Sequence, residues 1–380
     1  MNRKRLLYAL ASPAAAALVA LVISSLALIV SGYSPFTAFK AMITYLDSAD
    51  SVVAIVNRAA PYYVAGLAVA LGFKMGLFNI GADGQYRLAA LLSAAAGAQV
   101  NFWAPLHVLF VIVVAILVGG AYAAIPGVLK VTRGVNEVVA TIMLNSIATG
   151  ITAYLLSVYL RDKSGRSSLV SQTKELPQSA WLPSLNRALR AVGYHLPNGT
   201  VLNGYLIVAM LAGVFFYVLV FRTRFGFELR TTGVNPSAAR AAGINPGRMV
   251  ISTIVLSGMI AGLIGIGPLL SDVHRYSDIF PTALGFTGIT VALLGRNHPA
   301  GIAIGALVIA GIERAGQNLN TVNIPPEITK ILAGVLVLSA VITYEVVLRL
   351  TQAATVREAA HRAHSQLPGN APADEAVAAK

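Results

Sequence analysis

Between Leu6 and Phe39 the sequence carries no charged side chain, and from Leu88 to Leu129 it carries none over about 42 residues. Runs of this kind decide the fold class before any motif is considered. An element exposed to water needs a polar face, and these runs hold no charge to build one from. The hydrocarbon core of a bilayer takes roughly 20 apolar residues as a helix. Backbone amides in lipid must bond within their own segment or in a closed barrel. The runs are far longer than the roughly 10-residue alternating strands of a membrane barrel. The expected fold is therefore all-α, a polytopic membrane helical bundle. Composition agrees: 56% of the 380 residues are hydrophobic and 11% charged, against about a quarter charged in soluble domains.

Dividing the runs at turn signals predicts spans at residues 10–31, 52–73, 79–100, 106–129, 136–158, 202–221, 249–270, 281–295, 298–313 and 328–349. That is about ten transmembrane helices, the eighth and ninth being the shortest. Asn101 to Pro105 supplies the turn that splits the longest run. Arg3, Lys4 and Arg5 resemble the start of a signal peptide, but the apolar stretch behind them exceeds the roughly 7–15 residues of a cleaved core. An uncleaved first helix is expected. Residues 1–351 then form the membrane domain, and residues 352–380 an Ala-rich cytoplasmic tail expected to be disordered.

The chain has 28 Lys and Arg against 15 Asp and Glu, a formal net charge of +13. The basic residues sit in short clusters between apolar runs, the pattern of loops between spans and not of a nucleic-acid surface. With ten spans and the N-terminus inside, 17 of the 28 fall on the inner side and 10 on the outer. This bias places both termini in the cytoplasm. The basic outer loop at residues 160–200 is the one feature against it. That loop also carries Trp181, Leu182, Leu185, Leu189 and Val192 on one helical face. The pattern predicts an amphipathic helix lying on the outer leaflet, or a docking element for an outside partner.

Enzyme chemistry is missing. Zero cysteines exclude thiol catalysis and thiolate metal sites. No lysine follows a glycine, so the phosphate-cradling Gly-Lys-Ser/Thr loop is absent, as are His-Glu-x-x-His and Gly-x-Ser-x-Gly. His361 and His364 lie in the tail and read as solvated. The small-x-x-x-small pairs Gly72/Gly76, Gly258/Gly262 and Gly301/Gly305 predict close helix packing.

Three polar interruptions remain. At residues 76–85, three glycines with Asn79, Asp83 and Gln85 break an apolar stretch. Either this is an inner turn, or it is a broken helix whose amides face a solute path, since irregular backbone at membrane depth must be buried or line a cavity. A weaker glycine-rich echo at 285–295 supports the second reading, because paired interruptions mark the substrate region of many transporters. At residues 134–145, Asn136 and Glu137 suit a helix start, but Asn145 lies well inside the span, where a polar side chain usually faces the bundle interior. The inner loop at 222–248 is punctuated by Asn235, Pro236 and Gly243 as cap, first position and stop of a short helix.

Together GLFNIGADGQ (76–85), GVNEVVATIMLN (134–145), the 226–248 loop, SGMIAGLIGIGPLL (257–270) and GFTGITVALLGRNHP (285–299) resemble the permeases of bacterial ABC importers. The likeness covers roughly residues 60–345. It is nearest the simple-sugar and nucleoside branch, related to ribose, galactose and branched-chain amino-acid permeases. The family version usually has Glu where Asp83 stands, a change that keeps the charge. The 226–248 loop is similar to the coupling helix, without the glutamate of the fuller Glu-Ala-Ala form.

The resemblance implies a type II importer-like bundle that forms the path for a small neutral solute: a nucleoside, with a ribose- or galactose-type sugar as the alternative. It implies a second permease subunit, two cytoplasmic ATPase subunits, and an outer substrate-binding protein or lipoprotein, all at the bacterial inner membrane. ATP and magnesium would belong to the ATPases, leaving no cofactor or metal here. Asn79, Asp83, Gln85, Asn145 and Thr287 are the expected path residues. Gly233, Ala238, Ala239, Gly243 and Ile244 are the expected ATPase-coupling residues. An ion-coupled secondary transporter, the competing class, would bury charges mid-span, and only Arg58 and Asp83 approach that.

Overall fold

The computed structural model describes residues 3–163 and 170–365. Fourteen α-helices follow one another: α1 (Arg3–Val30), α2 (Pro35–Leu46), α3 (Ala49–Phe73), α4 (Ala82–Gly97), α5 (Ala104–Arg133), α6 (Glu137–Leu155), α7 (Asn186–Ala191), α8 (Tyr205–Arg222), α9 (Arg224–Val234), α10 (Pro236–Ala241), α11 (Pro246–Gly262), α12 (Leu284–Leu294), α13 (Pro299–Gly316) and α14 (Ile328–Ser365). Among the described residues the β-pairing is limited to two isolated antiparallel bridges, Arg161 to Thr173 and Gln172 to Ser277. The chain forms two units, residues 1–35 with 330–380, and residues 36–329. The first holds α1 and the body of α14. The second holds every site described below.

Among the described residues six helical stretches are long and apolar enough to cross a membrane: Ala49–Phe73, Ala104–Arg133, Glu137–Leu160, Tyr205–Arg222, Pro299–Val322 and Ile328–Val347. A seventh is added if Ala15–Val30 and Pro35–Leu46, bent by 118°, count as one span. The count of about ten continuous spans is thus not met, and the cause is local. The runs at 79–100 and 281–295 shorten to α4, with 16 residues, and α12, with 11. At 1.5 Å per residue α12 is about 16 Å long, half of a roughly 30 Å core. The run at 249–270 stops as α-helix at Gly262, and Pro268–Val273 continues it as a π-helical turn. Gly81, Ala283 with φ +63°, and the Gly262 to Pro268 stretch interrupt these runs, so apolar length overstated helix length.

Two further expectations change. α14 continues through Ser365, past residue 351, where the tail was expected to begin; residues 366–380 lie outside the described part. The outer-loop helix is only α7, so Trp181 and Leu182 are not on it. Pro183 interrupts the pattern. Trp181 instead stacks on His274 with ring centroids 3.7 Å apart, and Leu182 N–H donates to Leu270 O at 2.9 Å. Residues 164–169 of that loop lie outside the described part.

α8 separates the two functional ends of the larger unit, because residues 170–203 precede it and α9 and α10 follow it. α3 runs between the same ends. Asn57, near its start, donates to Val201 O at 2.7 Å, while Lys74 and Met75 at its finish pack on Gly233. α5 and α11 pack along one another in the core. Gly119 faces Gly258 and Gly262 with no room for a Cβ between the backbones, so the Gly258/Gly262 pair serves helix packing as its spacing predicts.

Candidate functional site

The segment at 76–85 is a re-entrant stretch. After α3 the chain turns through Gly76, which has φ +71°, and Leu77 N–H closes on Gly72 O at 3.0 Å. It then runs back beside α3. Asn79 Nδ2 donates to Ser257 Oγ at 2.8 Å, and that hydroxyl donates to Ala68 O at 2.6 Å. Asn79 therefore stands level with Ala68, inside the bundle, and α4 starts only at Ala82. A helix that begins inside a bundle leaves its first amides without partners. The polar side chains supply them. Asn145 Oδ1 accepts from Gly84 N–H, and its Nδ2 donates to Ile80 O, both at 2.9 Å. Asn79 and Gln85 exchange two hydrogen bonds of 3.0 Å each and are buried. The three amides expected on a solute path thus bind the re-entrant segment to α3, α6 and α11.

The two glycine-interrupted segments meet here. The start of α12 lies on the start of α4 so closely that a Cβ on Gly285 would strike the backbone of Asp83. Asp83 is buried, and its Oδ1 accepts from Gly285 N–H at 3.3 Å. One carboxylate so serves the N-termini of both α4 and α12, where partial positive charge accumulates. Thr287 is half-buried one turn further on, its hydroxyl donating to Ala283 O at 3.2 Å.

At the far end of α8 the short helix forms as its punctuation predicts. Asn235 Oδ1 accepts from Ser237 and Ala238 N–H, both at 3.0 Å, Pro236 takes the first position, and Gly243 reverses the chain at φ +81°. The five expected coupling residues divide. Ala238 and Gly243 are exposed, Ala239 is fully buried, and Ile244 is half-buried, closing the helix through its N–H to Ala239 O at 3.0 Å. Gly233 lies against the backbone of Lys74 and Met75, where a Cβ would come within 2.7 Å of both. Gly233 therefore joins α9 to the turn that begins the re-entrant stretch.

A polar cavity of about 450 Å³ opens on the opposite side, under the segment that ends at Asn203. Sequence reasoning noticed only Arg58 there. Arg58 Nε and Tyr62 OH both donate to Glu313 Oε2 at 2.6 Å. Arg314 donates to Asp50 Oδ2 at 2.8 Å and to Gln317 Oε1 at 2.9 Å. Asn203 Nδ2 donates to Asp272 Oδ1 at 2.9 Å. The wall also includes Pro281 and Leu284, so its floor is the start of α12. The charge pairs held a legible signal: Arg58 and Glu313 are opposite charges set into apolar runs.

Short and re-entrant helices meeting inside a bundle, with a capped helix exposed at one end, define a membrane transport protein of the broken-helix type. The family model for the permease component of the branched-chain amino acid transport system matches residues 51–341. The chain belongs to that family of ABC permease subunits. It is 30% identical over 338 residues to the guanosine ABC transporter permease protein of Bacillus subtilis, covering 88% of this chain and 93% of that one. It is 31% identical over 329 residues to the glucose ABC transporter permease protein of Haloferax volcanii, covering 86% of each. A nucleoside ABC transporter permease protein of Lactococcus lactis is 27% identical over 364 residues, covering 91% of this chain and 94% of that one. No solved structure matches the chain. As a permease component it is the membrane-spanning part of a transporter and not its ATPase.

Proposed function

We propose that this permease carries a neutral nucleoside inward across the bacterial inner membrane, with both termini in the cytoplasm. The observation that carries the reading is the likeness along most of the chain to guanosine and nucleoside permeases. The likeness to a glucose permease favours a simple sugar as the second reading. Both are uncharged polyhydroxy solutes. The working assembly pairs this chain with a second permease subunit, two ATPase subunits and an outer substrate-binding protein.

In this reading α10 receives the ATPase stroke through its exposed face at Ala238 and Gly243. Gly233, in contact with Met75, passes it to the re-entrant stretch. Asn79, Asp83, Gln85, Asn145 and Thr287 shape the path by holding that stretch and α12 in place. The test is uptake of labelled guanosine and labelled ribose by the complex reconstituted in vesicles with ATP inside. At Gly243 a Cβ would meet nothing within 4 Å, so Gly243→Arg adds bulk to the exposed turn, at the cost of a side chain held at φ +81°. It is expected to insert normally and abolish ATP-driven uptake. Normal uptake by that variant would remove α10 from coupling, and wild-type vesicles that take up neither solute would overturn the substrate reading.

A further inference from the structure

The cavity above the start of α12 has free hydrogen-bonding capacity of two opposite kinds. Asp272 uses Oδ1 for Asn203, and its other oxygen has no hydrogen bond among the described residues. Arg58 uses Nε for Glu313, and its two terminal nitrogens have none either. Its side chain is 50% exposed although it lines the cavity. The opposite charges near the mouth are balanced: Glu313 neutralises Arg58 and Asp50 neutralises Arg314. An anionic ligand would have to break one of these pairs and would also meet the Asp272 carboxylate. A neutral ligand with hydroxyls to give and acceptors to offer would not.

Part of the wall is apolar and stiff, with Pro61, Pro268, Pro281 and Leu284 lining the space. Ligand sites of about 300–1,000 Å³ commonly combine such a wall with a few directed polar groups. A flat base fits the apolar side, and a sugar fits the polar side. A carboxylate accepting from vicinal sugar hydroxyls is a recurrent way to hold a ribose. Guanidinium nitrogens donate in a fixed fork that suits the carbonyl and ring acceptors of a base.

We infer that this cavity is a solute-binding site within the permease, in which Asp272 accepts from the ribose hydroxyls and Arg58 donates to the base of a neutral ribonucleoside. The inference rests on the nucleoside reading above and adds the place and the contacts. The site lies on the side that receives solute in the proposed orientation, directly above the junction of α4 and α12. It gives the permease its own selectivity for hydroxyls, separate from that of any binding protein.

The cleanest variant is Asp272→Asn. It keeps an oxygen for the Asn203 amide and turns the free carboxylate oxygen into a donor. In the reconstituted complex the wild type is expected to take up guanosine in preference to 2′,3′-dideoxyguanosine. Asp272→Asn should lower guanosine uptake about tenfold or more and leave dideoxyguanosine uptake little changed, so the preference collapses. The ratio does not depend on how much complex assembles. The absence of native cysteine allows a second, direct measurement on the otherwise unchanged cavity. Alkylation of Ala54→Cys in the complex should slow several-fold with saturating guanosine and less with dideoxyguanosine. An unchanged ratio in Asp272→Asn, or an alkylation rate indifferent to guanosine, overturns the site while wild-type guanosine uptake still stands. Wild-type complex without guanosine uptake would overturn the nucleoside reading itself.

Discussion

Asn145 offers a sharp test of whether the re-entrant segment is held by its amides. Its side chain closes two backbone groups that the start of α4 leaves open, Gly84 N–H and Ile80 C=O. Asn145→Leu keeps the approximate volume and removes both hydrogen bonds. A buried backbone group left unpaired costs about 1–3 kcal/mol, and side-chain hydrogen bonds between membrane helices measure about 0.6–2 kcal/mol. Asn145 is only half-buried, so the lower figures apply and the pair together is worth about 1–4 kcal/mol. The assay has two arms, thermal unfolding of the purified complex and guanosine uptake per assembled molecule. The expected result is a clearly lower unfolding temperature and lower membrane abundance, with turnover per assembled molecule close to wild type. Unchanged thermal stability with a tenfold loss of turnover would refute the reasoning, because Asn145 would then act on the solute and not on the segment.

Gly285→Val should fail to assemble or unfold far more easily, since its side chain must enter space held by the Asp83 backbone; wild-type thermal stability would show that α4 and α12 do not touch. Cysteines placed at exposed Asn198 and Ser237 should label with an impermeant maleimide from outside and inside respectively, and the reverse pattern would overturn the orientation. Burial holds the His274 imidazole below its ordinary value of 6.5, so the folded protein keeps it neutral where an unfolded chain takes up a proton. Its stabilising contribution is present above 6.5 and is lost as the pH falls below that value; Trp181 fluorescence should report the loss, and a profile unaltered by His274→Gln would sink the claim.

The parts of the fold legible in the sequence are those fixed by near neighbours. Asn235, Pro236 and Gly243 specify α10 because a cap, a fixed φ and a left-handed stop act within one short segment. The glycine-rich stretch at 76–85 was legible as a break for the same reason, whereas 285–295, expected as a second interruption, is the continuous helix α12. That the two stretches meet was not legible, since Asp83 and Gly285 are about 200 residues apart and nothing local encodes their contact. The partners of the amides were hidden by a similar limit. Composition placed Asn79, Gln85 and Asn145 at membrane depth, but only the tertiary structure shows that Asn79 and Gln85 bond each other and Ser257 while Asn145 bonds the start of α4. The cavity draws on α3, the start of α8, the π-helical turn and α13. A site made from four distant segments has no sequence spacing, and only the sign match of Arg58 and Glu313 hinted at it.

These contacts also explain why small residues occupy the mechanical junctions. Gly233 meets the backbone of Lys74 and Met75, and Thr253 on α11 donates to Met75 Sδ at 3.1 Å. Three residues beyond Gly76 comes Asn79, and the stretch ends on Asp83 against the start of α12. At its two ends, Gly233 on Met75 and Gly285 on Asp83, the joints are backbone against backbone. Long side chains could absorb a small displacement by changing rotamer, whereas close-packed backbones cannot. A shift of α9 therefore moves Met75, and with it the segment whose other end supports α12. Leu284, at the start of α12, lines the polar cavity, so in the proposed reading a push at the α10 end alters the cavity from below, through the shortened helices α4 and α12. Continuous spans would resist that motion along their full length; the broken ones allow the floor to move while the long helices around it stay in place.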